Sequence, residues 1–401
     1  MKFLKKILSP KILAIKVYLK ISVISLVLGL YIFEGYLTFK KTEQEKKEIL
    51  YEKKINKKWD IRTRLQIYED LKKKNNKIEI AVGGFNYRDK NHSIFPLSGI
   101  SNSETIHCNE NGYYSIYQSD RYGFNNPDTE WDEKKIEYFL VGDSYIQGAC
   151  VNRQNDISSI LRALSNKSVL NLGYSGNGTL IEYATLREYL DKNIKKIIWV
   201  YYEGNDLKEL IFELENKILN NYLSDLNFTQ HLKLRQNNIN DLARTLVNDK
   251  MALDLLANNA KLQKDKKFKY KILKFIRLNN LKKIIPKIDL NKEENKSKDI
   301  SITRFKQILK LAKDLVIKNN SKLYFVYLPE YSRFKIDYNN TNYNLIKKIV
   351  SELNIPFIDI SKEVFEKEQN PLKLFLFELH GHYSIEGYRK VAETIYKFTK
   401  D

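Results

Sequence analysis

Apolar positions along the chain fall into distinct regimes. Near the N-terminus, ISVISLVLGLYIFEGYLTF (Ile21–Phe39) is almost unbroken apolar sequence over 19 residues, about enough helix to cross a bilayer. Glu34 interrupts it close to its end, where a carboxylate reaches the headgroups. Residues 40–76 are highly charged and read as a helical stalk. Residues 77–131 break into short β-like pieces and turns, among them AVGGF, NENGYY and RYGFNNPD. From residue 132 to 401, apolar runs alternate with helical patterns. The strand candidates are IEYFLV, SVLNL, KKIIWVYYEG, KLYFVYLPE and IPFIDI. Short apolar strands separated by helices predict βαβ units and a parallel sheet. Five of them predict an α/β fold, a three-layer α/β/α sandwich. One helical insertion, residues 209–300, breaks the rhythm and contains no glycine. Its middle, Lys261–Ile288, mixes Lys with Phe, Ile and Leu at helical spacing. An amphipathic helix packed on the domain is the favoured reading; a cap over a site or a membrane-surface helix is the alternative.

Charge changes this picture at the N-terminus more than elsewhere. Lys2, Lys5, Lys6, Lys11, Lys16 and Lys20 precede the apolar run with no acid among them, and no small-residue cleavage site follows it. Residues 1–20 therefore read as a basic cytoplasmic segment and 21–39 as an uncleaved transmembrane anchor. Lysines flank the other end of the span as well, so charge alone does not orient it. The simplest single-span arrangement puts the large C-terminal domain outside. The net charge of +20 is mostly Lys dispersed among Asn and Ile, and no nucleic-acid-binding motif is present. A solvated Lys-rich surface is expected, with no nucleic-acid partner. Two cysteines, Cys108 and Cys150, cannot build a metal cluster. Outside the cytoplasm they permit one disulfide; two free thiols are the alternative.

In an open parallel sheet, ligands bind beyond the carboxyl ends of the strands. The loops there read Gly142-Asp143-Ser144 after the first strand and NLGYSGNGT (Asn171–Thr179) after the second. EGND (Glu203–Asp206) follows the third, and ELHGHYSIEGY (Glu378–Tyr388) precedes the last helix. Taken alone, Asp143 and Ser144 would cap a helix. Taken together, the loops offer a hydroxyl, a glycine turn with free N–H groups, a side-chain amide and an imidazole. Acyl transfer by a serine requires those parts. Asp143 and Asp206 read as loop-holding residues.

These four blocks, in this order, resemble the GDSL/SGNH hydrolase superfamily over about residues 135–401, the insertion excepted. The resemblance implies a flavodoxin-like sheet and a serine esterase or acyltransferase of the membrane-anchored bacterial type. Ser144 would be the nucleophile. The Ser144 N–H, the Gly176 N–H and the Asn205 side chain would form the oxyanion hole, and His382 would be the general base. No metal or organic cofactor is implied. The family's aspartate two or three residues before the histidine is missing, since His380 and Leu379 stand there. Three readings follow: a Ser–His dyad oriented by a backbone carbonyl, Glu378 as the acid, or an inactive site. His380 remains a candidate substrate ligand or alternative base. By analogy the substrates are ester-linked acyl groups, such as O-acetyl groups of surface polysaccharide. A lipid esterase or lysophospholipase, and a non-catalytic polymer-binding scaffold, are the alternatives.

Overall fold

The computed structural model describes residues 2–87, 92–191, 193–260, 272, 273, 275–284, 291–335 and 338–400. The chain divides into two compact units. One comprises Met1–Thr42 and Ala252–Lys292, the other Glu43–Met251 and Glu293–Asp401.

The larger unit is built on five parallel strands. They are β4 (Ile136–Val141), β5 (Val169–Asn171), β6 (Ile194–Tyr202), β7 (Lys322–Leu328) and β8 (Phe357–Asp359), in the order β5-β4-β6-β7-β8. All five predicted strands are present, and the order is flavodoxin-like. Their β-branched and aromatic residues suit a pleated surface. Both faces are covered, as the continuous apolar runs required. Phe139, Val141, Ile197, Trp199 and Phe325 point into one core, while Tyr138, Leu140, Ile198, Val200 and Val326 point into the other. Ile157 and Leu161 of the helix Ile157–Ser165, with Val391 and Ile395 of the C-terminal helix Ile385–Thr399, close the second face. Leu180 and Ala184 of the helix Thr179–Tyr189, with Phe305 and Ile308 of the helix Asn291–Lys318, close the first. Strand order reverses at β4, between β5 and β6, so the crevice of the sheet opens beside the loop that carries Ser144.

The β-like region forms a second sheet of three short strands: β1 (Ile78–Ile80), parallel to β2 (Glu104–Ile106), and β3 (Ile116–Gln118), antiparallel to β2. The charged segment before it holds helices α2 (Glu43–Ile55) and α3 (Arg64–Lys72). Lys47, Tyr51, Trp59, Ile67 and Tyr68 are buried, so this stretch lies on the domain. The described part of the insertion is mainly helical, including Lys217–Ser224 and Gln236–Ala260, with a loop over residues 225–235 between them. Most of the basic stretch read as a packed, capping or interfacial helix (residues 261–271, 274 and 285–288) lies outside the described residues. In the smaller unit, α1 (Lys2–Phe39) is one continuous helix, longer than the predicted span. Within it, Ala14–Phe39 is long and apolar enough to cross a membrane, its most apolar 18-residue window having a mean hydropathy of 1.9.

One buried carboxylate fastens the small sheet to the large one. Asp120 accepts from Tyr122 N, Phe124 N and Asn126 Nδ2, each at 2.9 Å, and from Trp131 Nε1 at 2.7 Å. Asn126, so oriented, receives Asn171 N of β5 at 2.8 Å and donates to Asn171 O at 2.8 Å. The edge strand thereby gains the pairing that its free side lacks. Asp120→Ala leaves four donors, two buried and two half-buried, without their acceptor, and a loss of about 3 kcal/mol is expected. Urea unfolding measures it; an unchanged midpoint would remove Asp120 from this role.

Candidate functional site

The turn after β4 is shaped to expose a side chain. Asp143 caps the four-residue helix α4 (Ser144–Gln147), its Oδ1 accepting from Tyr145 N at 2.9 Å. Gly148, at φ +84°, ends the helix in a left-handed conformation that glycine adopts without strain. Ser144 is thus the first residue of a short helix, where backbone N–H groups have no intrahelical acceptor. Asp206, after β6, accepts from Tyr202 N at 2.7 Å and holds that loop. Both aspartates bond nearby backbone, as expected for loop-holding residues.

Ser144 Oγ lies 2.9 Å from His382 Nε2. The ring of Tyr145 packs against the imidazole, centroids 4.9 Å apart, and its hydroxyl donates to Gly381 O at 3.3 Å. The other ring nitrogen faces neither a backbone carbonyl nor Glu378. His382 Nδ1 is 3.1 Å from Glu110 Oε1, and His382 N donates to Glu110 Oε2 at 3.0 Å. One carboxylate therefore fixes the backbone and the ring of the same residue. Since Nδ1 donates to the carboxylate, Nε2 carries the lone pair that the Ser144 hydroxyl meets.

Glu378 is drawn away from this centre: its carboxylate accepts from Asn370 Nδ2 at 3.1 Å and its carbonyl from the Tyr331 hydroxyl at 3.0 Å. Its role as the acid is corrected by this geometry, and so is the carbonyl-oriented dyad. Glu110 is not legible beside the histidine, since it stands 272 residues before it in the chain. The usable signal lay in the cysteines. Cys108 and Cys150 are disulfide-bonded, with Cα atoms 5.0 Å apart. Cys150 stands six residues past Ser144, and Glu110 is two residues past Cys108. Asn111 Nδ2 adds a bond to Cys150 O at 2.7 Å. His107 ties the same segment to the loop after β5, through Ser175 Oγ at 2.7 Å. Burial, and then the Arg64 charge, push His107 down to about 3, so the ring there is neutral.

Two segments crowd around the Glu110 carboxylate, α2 and the loop that carries Gly381 and His382. Lys47 of α2 places Nζ 3.5 Å from Oε2, its side chain 8% exposed. Gly381 has φ +154°, and a Cβ there would come within 2.5 Å of Glu110 Oε2 and 2.7 Å of Lys47 Nζ. Burial alone would raise the Glu110 pKa. The neighbouring His382, then Lys47, reverse this and hold the carboxyl well below the usual range. Burial alone would lower the His382 pKa; Glu110 reverses that too and leaves the imidazole above its usual value.

Ser144, His382 and Glu110 open onto a cleft of about 780 Å³. Asn205 and His380 also line it, as do Lys47, Lys208, Glu330 and Lys335. Asn205 begins the helix Asp206–Glu213 but makes no side-chain capping bond, and it stands beside the Asp143 carboxylate. Gly176, at φ +80°, is in the adjoining loop against Phe85 and is not part of the described cleft lining.

Glu110→Gln should lower kcat on the order of 10³–10⁴-fold, while Glu378→Gln stays near wild type. Because Glu110 raises the His382 pKa, the acid limb of kcat/KM should lie above the ordinary histidine value of about 6.5 and move to lower pH in Glu110→Gln. A rate profile of the two variants decides between the carboxylates. Replacing both cysteines by serine opens a loop of sequence separation 42. The expected loss is about 4 kcal/mol on a chain-entropy account, with kcat falling at temperatures where the protein remains folded. Unaltered turnover in the folded variant would free the disulfide from any part in placing Glu110.

No family model matches the chain, and no curated protein matches it. Among solved structures it is similar to a member of the G-D-S-L family from Desulfitobacterium hafniense DCB-2, at 14% identity over 66% of this chain and 99% of that one, TM-score 0.37. It is also similar to a member of the lipolytic protein G-D-S-L family from Veillonella parvula DSM 2008, at 13% over 66% and 100%, TM-score 0.37. A third is an acetyl xylan esterase, AlAXEase, at 13% over 66% and 99%, TM-score 0.35. Values this low carry no argument by themselves. The resemblance to GDSL/SGNH hydrolases rests on the four sequence blocks and on the sheet edge where they lie.

Proposed function

We propose that the protein is a serine esterase or acyltransferase, anchored in a membrane through α1, that acts on short ester-linked acyl groups of carbohydrate. The observation that carries the reading is the unbroken chain of hydrogen bonds from Ser144 Oγ through His382 to Glu110 in one open cleft. His382 Nε2 takes the Ser144 proton as Oγ bonds to the ester carbonyl carbon. The resulting oxyanion is met by the Ser144 N–H and the Asn205 side chain, with Gly176 contributing on the strength of its motif alone. Collapse releases the alcohol, which receives the proton from the imidazolium, and leaves an acyl-enzyme. Water then completes hydrolysis, or an acceptor hydroxyl completes transfer. Glu110 stays ionised throughout and stabilises the imidazolium.

The cleft lining supports a short acyl group. Among the described residues it contains no aliphatic side chain; Tyr145 and Tyr202 supply its apolar surface, and the remainder is polar, charged or glycine. A fatty chain needs an apolar channel that desolvates it at about 0.8 kcal/mol per methylene, whereas hydroxyl-rich carbohydrate finds hydrogen-bond partners here. This favours O-acylated polysaccharide over a lysophospholipid. The apolar N-terminal helix supports a membrane location, with the large unit outside the cytoplasm where the disulfide persists.

The test is a fluorophosphonate probe on the full-length protein. Wild type should label and Ser144→Ala should not, with similar thermal stability; equal labelling would sink the assignment. Wild type should also turn over p-nitrophenyl acetate far faster than the palmitate ester. Asn205→Ala should lower kcat about 10²–10³-fold at nearly unchanged KM; a change in KM alone would make Asn205 a substrate ligand.

A further inference from the structure

The smaller unit contains a carboxylate placed where a lipid-spanning helix ordinarily has none. Glu34 belongs to α1, five residues before its end at Phe39. It is fully buried, and the chain itself satisfies it: Glu34 Oε1 accepts from Asn280 N at 3.0 Å and Asn280 Nδ2 at 2.9 Å, and Oε2 accepts from Leu281 N at 2.8 Å. These donors open the short helix Asn279–Ile284. Asn280 Nδ2 also reaches Thr38 Oγ1 at 3.0 Å. One turn earlier on α1, the Tyr31 hydroxyl donates to Ile276 O at 3.1 Å, and its ring meets Phe275 at 5.5 Å between centroids. Phe275 lies 3.4 Å from where a Cβ on Gly35 would stand, so the ring packs on that stretch of α1.

Depth follows from helix geometry. Ala14–Phe39 has 26 residues, about 39 Å of helix at ~1.5 Å per residue, against roughly 30 Å of hydrocarbon. Tyr31 and Glu34 lie about 12 Å and 8 Å from the helix end. Whatever packs on them sits at the hydrocarbon–headgroup boundary. The docked segment has the composition for that level. Leu273 and Ile276 are 49% and 54% exposed, and Arg277, Lys282 and Lys283 are exposed cations suited to headgroup phosphates.

We propose that the described residues 272, 273 and 275–284 belong to an interfacial membrane element, clasped to the span by Glu34, with Leu273 and Ile276 in contact with lipid. The proposal rests on α1 crossing the membrane. A carboxylate at this depth is costly unless hydrogen-bonded, so the clasp and the insertion depend on one another. The chain then meets the lipid at two places far apart in sequence.

The test uses full-length protein in vesicles containing phosphatidylcholine brominated near the top of the acyl chains. Tryptophan emission is compared among the unsubstituted protein, Phe33→Trp and Ile276→Trp. The expected result is that the added tryptophan is quenched to a comparable fraction in both variants. Quenching at position 33 alone overturns the inference and spares the anchor; quenching at neither overturns both; quenching at 276 alone overturns docking on the span. Adding Glu34→Leu to Ile276→Trp removes the acceptor and should reduce quenching at 276. Unchanged quenching there would refute the clasp.

Discussion

The site depends on one carboxylate reaching a histidine that lies 272 residues away in sequence. Glu110 bonds both the ring and the backbone N–H of His382. Without it the imidazole has no reason to present a lone pair to Ser144, and the loop before the last helix loses an anchor. The surrounding structure is arranged to hold that contact. The disulfide ties the Glu110 segment to the stretch after Ser144, His107 ties it to the loop after β5, and Asp120 with Asn126 seats the same region on the edge strand. The three-stranded sheet is thus part of the candidate site, because it delivers the Glu110 carboxylate.

Charge balance around Glu110 explains two further features. A half-buried carboxylate flanked by an imidazole and an ammonium is favoured in its ionised form despite partial desolvation. Lys47 comes from α2, the first helix of the large unit, and its buried stem brings an ammonium to the carboxylate. Gly381 leaves room for both groups; any side chain there would displace Lys47 or Glu110. An acid beside the histidine in sequence would need neither device. Here it comes from elsewhere in the chain, and the acid four residues before the histidine, Glu378, bonds Asn370 instead.

Strands β4 to β8 were legible because each is a short apolar run bounded by turn residues, and burial on both faces leaves no alternation to misread. Ser144, Asn205 and His382 were legible because each lies at the carboxyl end of the sheet in a recognisable block. Glu110 was not, since its proximity to His382 is created by tertiary pairing of β2 with β1 and β3 and by a cross-link, none of which leaves a local pattern. The spacing of Cys108 from Glu110 and of Cys150 from Ser144 held the information, but only once the two cysteines were taken as bonded. The charged stretch 40–76 concealed its packing for a related reason. Lys47, Tyr51 and Trp59 are few among many lysines, and composition hides a sparse buried face.

The central claim is that Glu110 sets the tautomer of His382. Nitrogen NMR of protein labelled in its histidine rings, recorded above the His382 pKa, reads this directly. The account predicts that neutral His382 carries its proton on Nδ1 in the wild type and that this preference is lost in Glu110→Gln. A proton on Nε2 in the wild type, or the same Nδ1 tautomer with and without the carboxylate, would contradict it.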